Sequence, residues 1–172
     1  MKKNSGITLI GLIITVIVMA ILASITIYEG KRIISTSKVQ TLETNMLTIQ
    51  SKVKAYAEEI EARIWTESDK DTARNAEFSA KEIASATINT DFSSEALNQV
   101  KNSSIKSDYV AYKITGNALI NMGLKEIQDE TYIVIFSKND YKLMDVIYPV
   151  GVNYNGTVYY TASSLQEILD EE

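Results

Sequence analysis

The chain has 172 residues, a formal net charge of −5, and neither cysteine nor histidine. These absences exclude disulfides, zinc sites built from Cys and His, cysteine nucleophiles and any catalytic triad that needs an imidazole base. The acidic balance argues against a broad surface for nucleic acid, and the length suits one domain of ordinary size with an appendage.

An uncharged run extends from Ile7 to Tyr28, preceded by Lys2 and Lys3 and closed by Glu29. As a helix it would extend for roughly 33 Å, against ~30 Å for the hydrocarbon core of a bilayer. The basic residues before it predict an N-terminus inside the cell and a C-terminus outside. Three interpretations of the run are open. It could be a cleaved secretory signal, with a poor cut site at Ile21-Leu22-Ala23, or a plain membrane anchor. The third interpretation depends on the leader before the run.

The leader Met-Lys-Lys-Asn-Ser-Gly ends at Gly6 and is followed directly by Ile7-Thr8-Leu9-Ile10. This arrangement resembles the class III signal of type IV pilins and type II secretion pseudopilins. The resemblance implies that a prepilin peptidase cuts between Gly6 and Ile7, that Ile7 is then N-methylated, and that Thr8, Leu9, Ile10 and Gly11 form the assembly motif. It implies as partners the membrane, other pilin subunits, the prepilin peptidase, a pilus platform protein and an assembly ATPase. From the acidic charge we expect no nucleic acid partner, and we predict no cofactor.

One position departs from the family pattern. Pilins normally carry a glutamate as the fifth residue of the mature chain, where this chain has Gly11. In the family that carboxylate is thought to pair with the N-terminal amine of a neighbouring subunit. Its loss resembles the minor, tip-type pilins and pseudopilins, so the resemblance implies a minor subunit, with drift in a tolerant subunit as the alternative.

After Glu29 the chain becomes amphipathic, with apolar residues spaced alternately three and four apart. They form a seam on one helix face: Val39, Leu42, Met46, Ile49, Val53, Tyr56 and Ile60. No Pro or Gly occurs from Lys31 to Trp65, so we predict one helix from about Ile7 to Ile64. A coiled coil would produce the same seam, but the downstream sequence favours a helix packed on a globular head.

The head begins with a predicted loop over 66–71 and a helix that starts at Ser79, with Glu82 completing a capping box. Further predicted helices are 93–100, 117–125 and 165–169, and predicted strands are 109–115, 131–137, 141–148, 151–154 and 157–160. Asn155-Gly156 is the strongest hairpin signal in the chain. We expect an antiparallel sheet with one apolar face against the seam. Its last hairpin also resembles the C-terminal strands of clostridial-type pilins.

These patterns together predict an α+β, pilin-like fold. Its long N-terminal helix would be transmembrane in the first half, amphipathic in the second, and packed on a C-terminal antiparallel β-sheet. The expected divisions are a leader over 1–6, a transmembrane and assembly helix over 7–30 and an extracellular head over 31–172. The expected location is the cytoplasmic membrane, as a single-pass protein with its N-terminus inside, and then an extracellular pilus or pseudopilus.

The sequence predicts no catalytic residue, no metal site and no enzymatic activity. Acidic clusters at 58–61, 69–71 and 170–172 are interpreted as solvated charge, and Asp69-Lys70-Asp71 lacks the Gly and terminal Glu of an EF-hand loop. The predicted function is that of a minor structural subunit of a type IV pilus or pseudopilus, with adhesion, twitching motility, DNA uptake and protein secretion all open as the role of the assembly. The alternative is a membrane-anchored extracellular binding or adhesin domain that does not polymerise.

Overall fold

The structure is a computed structural model that describes residues 9–63, 67–100 and 108–170, with side chains except at 9–11, 25–32, 34 and 67–71. The chain divides into two compact units between Lys38 and Val39. The helices are α1 (Leu9–Arg63), α2 (Glu67–Ala80), α3 (Ser94–Asn98), α4 (Asn117–Asn121) and α5 (Ala162–Asp170). The strands are β1 (Ala84–Ser85), β2 (Tyr109–Thr115), β3 (Thr131–Ser137), β4 (Leu143–Tyr154) and β5 (Thr157–Thr161).

Helix α1 has 55 residues and contains both Gly11 and Gly30. A glycine inside a helix costs about 1 kcal/mol relative to alanine, yet α1 continues through both positions. All of the predicted seam is buried except Tyr56, which is half-buried against the same core. The predicted ends of this helix, Ile7 and Ile64, lie outside the described residues.

The transmembrane first half predicted for this helix is wrong. Over the residues that the structure describes, no helix is both long enough and apolar enough to cross a bilayer. The predicted pilin-like fold class, with its transmembrane half, is therefore wrong as stated, and so is the predicted localisation as a single-pass membrane protein.

The five strands form one antiparallel sheet in the order β1-β2-β3-β4-β5. Strand β2 pairs with β3 without interruption, from Tyr109 opposite Ser137 to Thr115 opposite Thr131. The register of β3 with β4 shifts once, between Ile135 and Phe136, and that of β4 with β5 shifts between Ile147 and Val152. The second shift is large because Tyr148 to Gly151 bulge out of the ladder, which accommodates Pro149, a residue that cannot donate to it.

Both faces of the sheet are covered, so the prediction of a single apolar face is wrong. On one face, Tyr132, Val134 and Phe136 of β3 join the seam of α1 in a core that also takes in residues of α2, α4 and α5. On the other face, Ile133 and Ile135 pack with the segment around α3. Strand β3 is buried along nearly its whole length, as period-two alternation requires when both faces are covered.

Some of the shorter helices and strands lie where the sequence predicts them, and others do not. Strands β2 and β3 have the predicted bounds. Helix α3 lies within the predicted helix 93–100, and Ser93 is its N-cap, accepting from the amide of Ala96 at 3.2 Å. The predicted helix start at Ser79 is wrong, and so is the predicted loop over 67–71, because α2 already begins at Glu67 and ends at Ala80. Position 66 of that loop lies outside the described residues. No Gly or Pro interrupts this stretch, and Phe78 secures it by burial in the core.

Candidate assembly surface

The stretch of α1 from Leu12 to Ser24, here called the apolar segment, exposes large hydrophobic side chains. Their exposed fractions run from 48% to 69%: Leu12, Ile13, Ile14, Val16, Ile17, Val18, Met19, Ile21 and Leu22. Successive helical residues are about 100° apart around the axis, so these side chains point in every direction. The apolar segment therefore has no polar face.

The polar groups of the apolar segment are satisfied within the helix. The Thr15 hydroxyl donates to the Leu12 carbonyl at 2.8 Å, and the Ser24 hydroxyl donates to the Ala20 carbonyl at 2.8 Å. Hydroxyls that bond back to the preceding turn offer little to an outside partner. The segment can thus act by burial of apolar surface and offers no side chain suited to acid–base or nucleophilic chemistry.

The residues predicted as the processing and assembly site lie around the start of α1. Gly6, Ile7 and Thr8 are outside the described residues. Leu9, Ile10 and Gly11 form the beginning of α1, and only their backbone is described. The apolar segment follows Gly11 directly along the same helix.

The head contains a buried carboxylate that the sequence analysis did not single out. Asp145 in β4 is 2% exposed, and its carboxylate accepts from the Val146 amide at 2.8 Å, from the Ser163 amide at 3.2 Å and from the Ser163 hydroxyl. Burial raises the pKa of the Asp145 carboxyl, and these donors act in the opposite direction. The contacts fasten the start of α5 to β4, so the residue has a structural role. An acid inside the apolar run 143–150 was its signal in the sequence.

A second buried charge joins α1 to α2. The guanidinium of Arg74, a residue only 5% exposed, pairs with the Glu61 carboxylate and lies 3.4 Å from the centre of the Tyr141 ring. A planar guanidinium suits both contacts at once. Glu61 belongs to the acidic cluster interpreted as solvated charge, and its side chain is still 41% exposed while it pairs with Arg74.

Tyr132 and Tyr148 pack against each other beside Glu130. Their rings, those of Tyr132 and Tyr148, lie 5.3 Å apart, and the Tyr132 hydroxyl donates to Glu130. Burial raises the pKa of both phenols, and the neighbouring Glu130 charge adds to the effect. Both phenols stay protonated at neutral pH, which suits packing and hydrogen bonding and not proton abstraction.

A hollow on the head is lined by residues 89–95 and Pro149. Its Asp91 carboxylate accepts from the Thr87 amide at 2.8 Å and pairs with the Lys113 ammonium at 2.5 Å. The Lys113 contact, followed by the Thr87 amide, lowers the pKa of Asp91. Among the side chains that the structure describes, no three acidic residues come together as a metal site would require.

Comparison with protein-family models, with curated proteins and with solved structures finds no match for this chain.

Proposed function

We propose that the protein is a minor structural subunit of a type IV pilus or type II secretion pseudopilus, and that like subunits pack together through the apolar segment. The observation that carries the proposal is the exposure of large apolar side chains on every side of that segment. Exposed apolar surface gains roughly 25 cal/mol per Å² on burial, and a helix that is apolar all round is a helix that becomes buried. Helices of the same kind provide a matching surface.

The sequence before the segment supports the same function. Cleavage between Gly6 and Ile7 by a prepilin peptidase would leave the apolar helix at the new N-terminus, ready to pack beside its neighbours. A platform protein and an assembly ATPase would then provide the work of assembly. The subunit itself would need no active site, and the contacts of Asp145, Arg74 and Asp91 are accounted for by the folding of the head.

The position of Gly11 supports a minor role. It lies in α1 immediately before the apolar segment, at the position where the family pattern has a glutamate. A glycine has no carboxylate with which to neutralise the amine of an adjacent subunit, and an amine buried without a partner is costly. A subunit at the tip of a filament, with no neighbour above it, avoids that cost.

Mass spectrometry of the protein, produced in a host that carries a prepilin peptidase, tests the proposal. We expect loss of residues 1–6 and one methyl group on Ile7. A Gly6→Val variant should retain the leader, whereas Ser5→Ala, a matched change one residue away, should be processed normally. An intact Met1 in the parent chain, or a new terminus after Ala23, would contradict the proposal, and an intact chain would favour a binding domain that does not polymerise.

A further inference from the structure

Strand β5 lies at one end of the sheet, where β4 is its single neighbour among the described strands. Thr157 pairs with Tyr154 and Tyr159 with Val152, so the peptide groups of Val158 and Tyr160 face the other way. An edge strand with free peptide groups is a template for pairing with another chain. Proteins usually protect such edges with charged residues, Pro or a covering element. The sequence of β5, Thr-Val-Tyr-Tyr-Thr, has neither charge nor Pro.

Among the residues that the structure describes, the side chain of Gln99 hydrogen-bonds to this edge. The Nε2 group of Gln99 donates to the Val158 carbonyl at 2.8 Å, and the Tyr160 amide donates to Oε1 of Gln99 at 2.8 Å. The Ser164 hydroxyl also donates to Oε1, at 3.3 Å. A single primary amide therefore supplies the donor and the acceptor that a neighbouring strand would present at this point.

Gln99 is held in position by the short helix before it. It is the C-terminal cap of α3, and its own amide bonds back to the Ala96 carbonyl at 3.3 Å. Ala96, Leu97 and Val100 are buried in the core on the α3 face of the sheet. These contacts fix the backbone on both sides of Gln99, so placing its amide against β5 costs little further conformational entropy.

We propose that Gln99 closes the β5 edge against strand pairing, and that without it β5 pairs with β5 of a second copy of this chain. The second copy is the fitting occupant because antiparallel pairing of two identical strands about a two-fold axis is self-complementary. Thr157 and Val158 are exposed at this edge, and β5 carries no charge that would repel its own copy. The surface is distinct from the apolar segment of α1.

Disulfide trapping in the full chain tests this, since the parent sequence has no cysteine. Single reporters, Thr157→Cys, Val158→Cys and Tyr159→Cys, each lie opposite their own copy when the two-fold axis of the paired β5 strands passes through that residue. Each reporter is combined with Gln99→Ala or with Gln99→Met, which keeps the length of the side chain and removes its amide. Asn98→Ala, an exposed neighbour in α3, is the matched control. Any association through α1 is common to all these chains.

We expect several-fold more disulfide-linked dimer in both Gln99 variants than in the parent reporters, and no increase with Asn98→Ala. If neither Gln99 variant increases the amount of disulfide-linked dimer at any of the reporters, the proposal is overturned. Hydrogen exchange on the unsubstituted chain gives a second measure that no folding defect can affect. There the Tyr160 amide should exchange as slowly as the amides of the β4–β5 ladder, and exchange at the rate of an open edge would equally overturn the proposal.

Discussion

At the scale of single residues, the charges that matter to this fold are those that the chain buries. Asp145 lies in a run of strand-forming residues, which shows from sequence only that an acid sits in or beside a sheet. Its partners come from Val146 and from Ser163, eighteen positions further on. The sequence therefore allowed the prediction of an acid in the sheet region. Its role could not be predicted, because α5 is brought against β4 by the tertiary fold and not by local sequence.

The buried carboxyl of Asp145 should give the protein a distinctive pH dependence. Its pKa is raised above the ordinary value of about 3.9, so its contribution to stability is full below that pH and falls as pH rises through the raised pKa. Asp145→Asn has nearly the same shape and does not titrate. We expect the free energy of unfolding of the parent, relative to this variant, to decrease between about pH 3 and pH 7 in urea titrations.

Asp140 provides a control of opposite sign. Its carboxylate accepts from the Lys142 amide at 3.2 Å, which is the main reason that its pKa is lowered. The stability of the parent relative to Asp140→Asn should therefore increase over the same rise in pH.

Asp145→Asn also loses a hydrogen bond worth about 1 kcal/mol. That loss lowers the free energy of unfolding by the same amount at every pH, so it does not change the slope of the plot of this free energy against pH. If the stability of the parent relative to Asp145→Asn instead increased with pH, the surrounding donors would outweigh burial.

At the scale of elements, local sequence predicted those features that local physics determines. The alternating runs correctly predicted the bounds of β2 and β3. Asn155-Gly156 forms the turn between β4 and β5, with positive φ angles of 51° and 87° at the two residues. Long-range packing determined the others. The predicted strands 141–148 and 151–154 are one strand, β4, because a bulge around Pro149 lets the chain continue along both neighbours.

The bulge in β4 depends on Gly151, which has a φ of +71°. A Cβ added there would lie 2.6 Å from Cγ1 of Val158 and 2.7 Å from Cε1 of Tyr160. Gly151→Ala should therefore lower the free energy of unfolding by the cost of a left-handed alanine, about 1 kcal/mol, and by a further ~1–3 kcal/mol of overpacking. Chemical denaturation of the purified variant measures the sum.

Gly123→Ala separates the two costs. Gly123 has a similar φ of +86°, but a Cβ there would meet nothing within 4 Å. The free energy of unfolding of Gly123→Ala should therefore fall only by the cost of placing alanine in the left-handed conformation, about 1 kcal/mol. Equal losses for the two variants would mean that the side chains of Val158 and Tyr160 move aside freely, and that the bulge is held by backbone conformation alone.

At the scale of the whole molecule, the chain has a folded unit with its own core and a segment whose apolar side chains are exposed. Residues 39–172 form a unit with its own core on both faces of a sheet. Before it, the apolar segment of α1 leaves its large side chains uncovered. Sequence predicted both surfaces from the change in composition near Glu29. It gave only a hypothesis for what covers the apolar segment, since hydrophobicity does not distinguish lipid from the helices of other subunits.

A charge placed in the apolar segment tests the proposed assembly. Ile17 is 53% exposed within the segment, and Leu47, in the part of α1 that belongs to the head, is 39% exposed. If the segment becomes buried among like helices, Ile17→Lys places an ammonium group there without a counter-charge, at a cost of several kcal/mol. About 1.4 kcal/mol already changes an equilibrium tenfold, so sedimentable filament containing the subunit should fall by roughly tenfold or more. Leu47→Lys, the same kind of change on the same helix, should leave incorporation unchanged. Equal incorporation of the two variants, with the head of each shown to be folded by its melting curve, would mean that the apolar segment is not the surface through which subunits assemble.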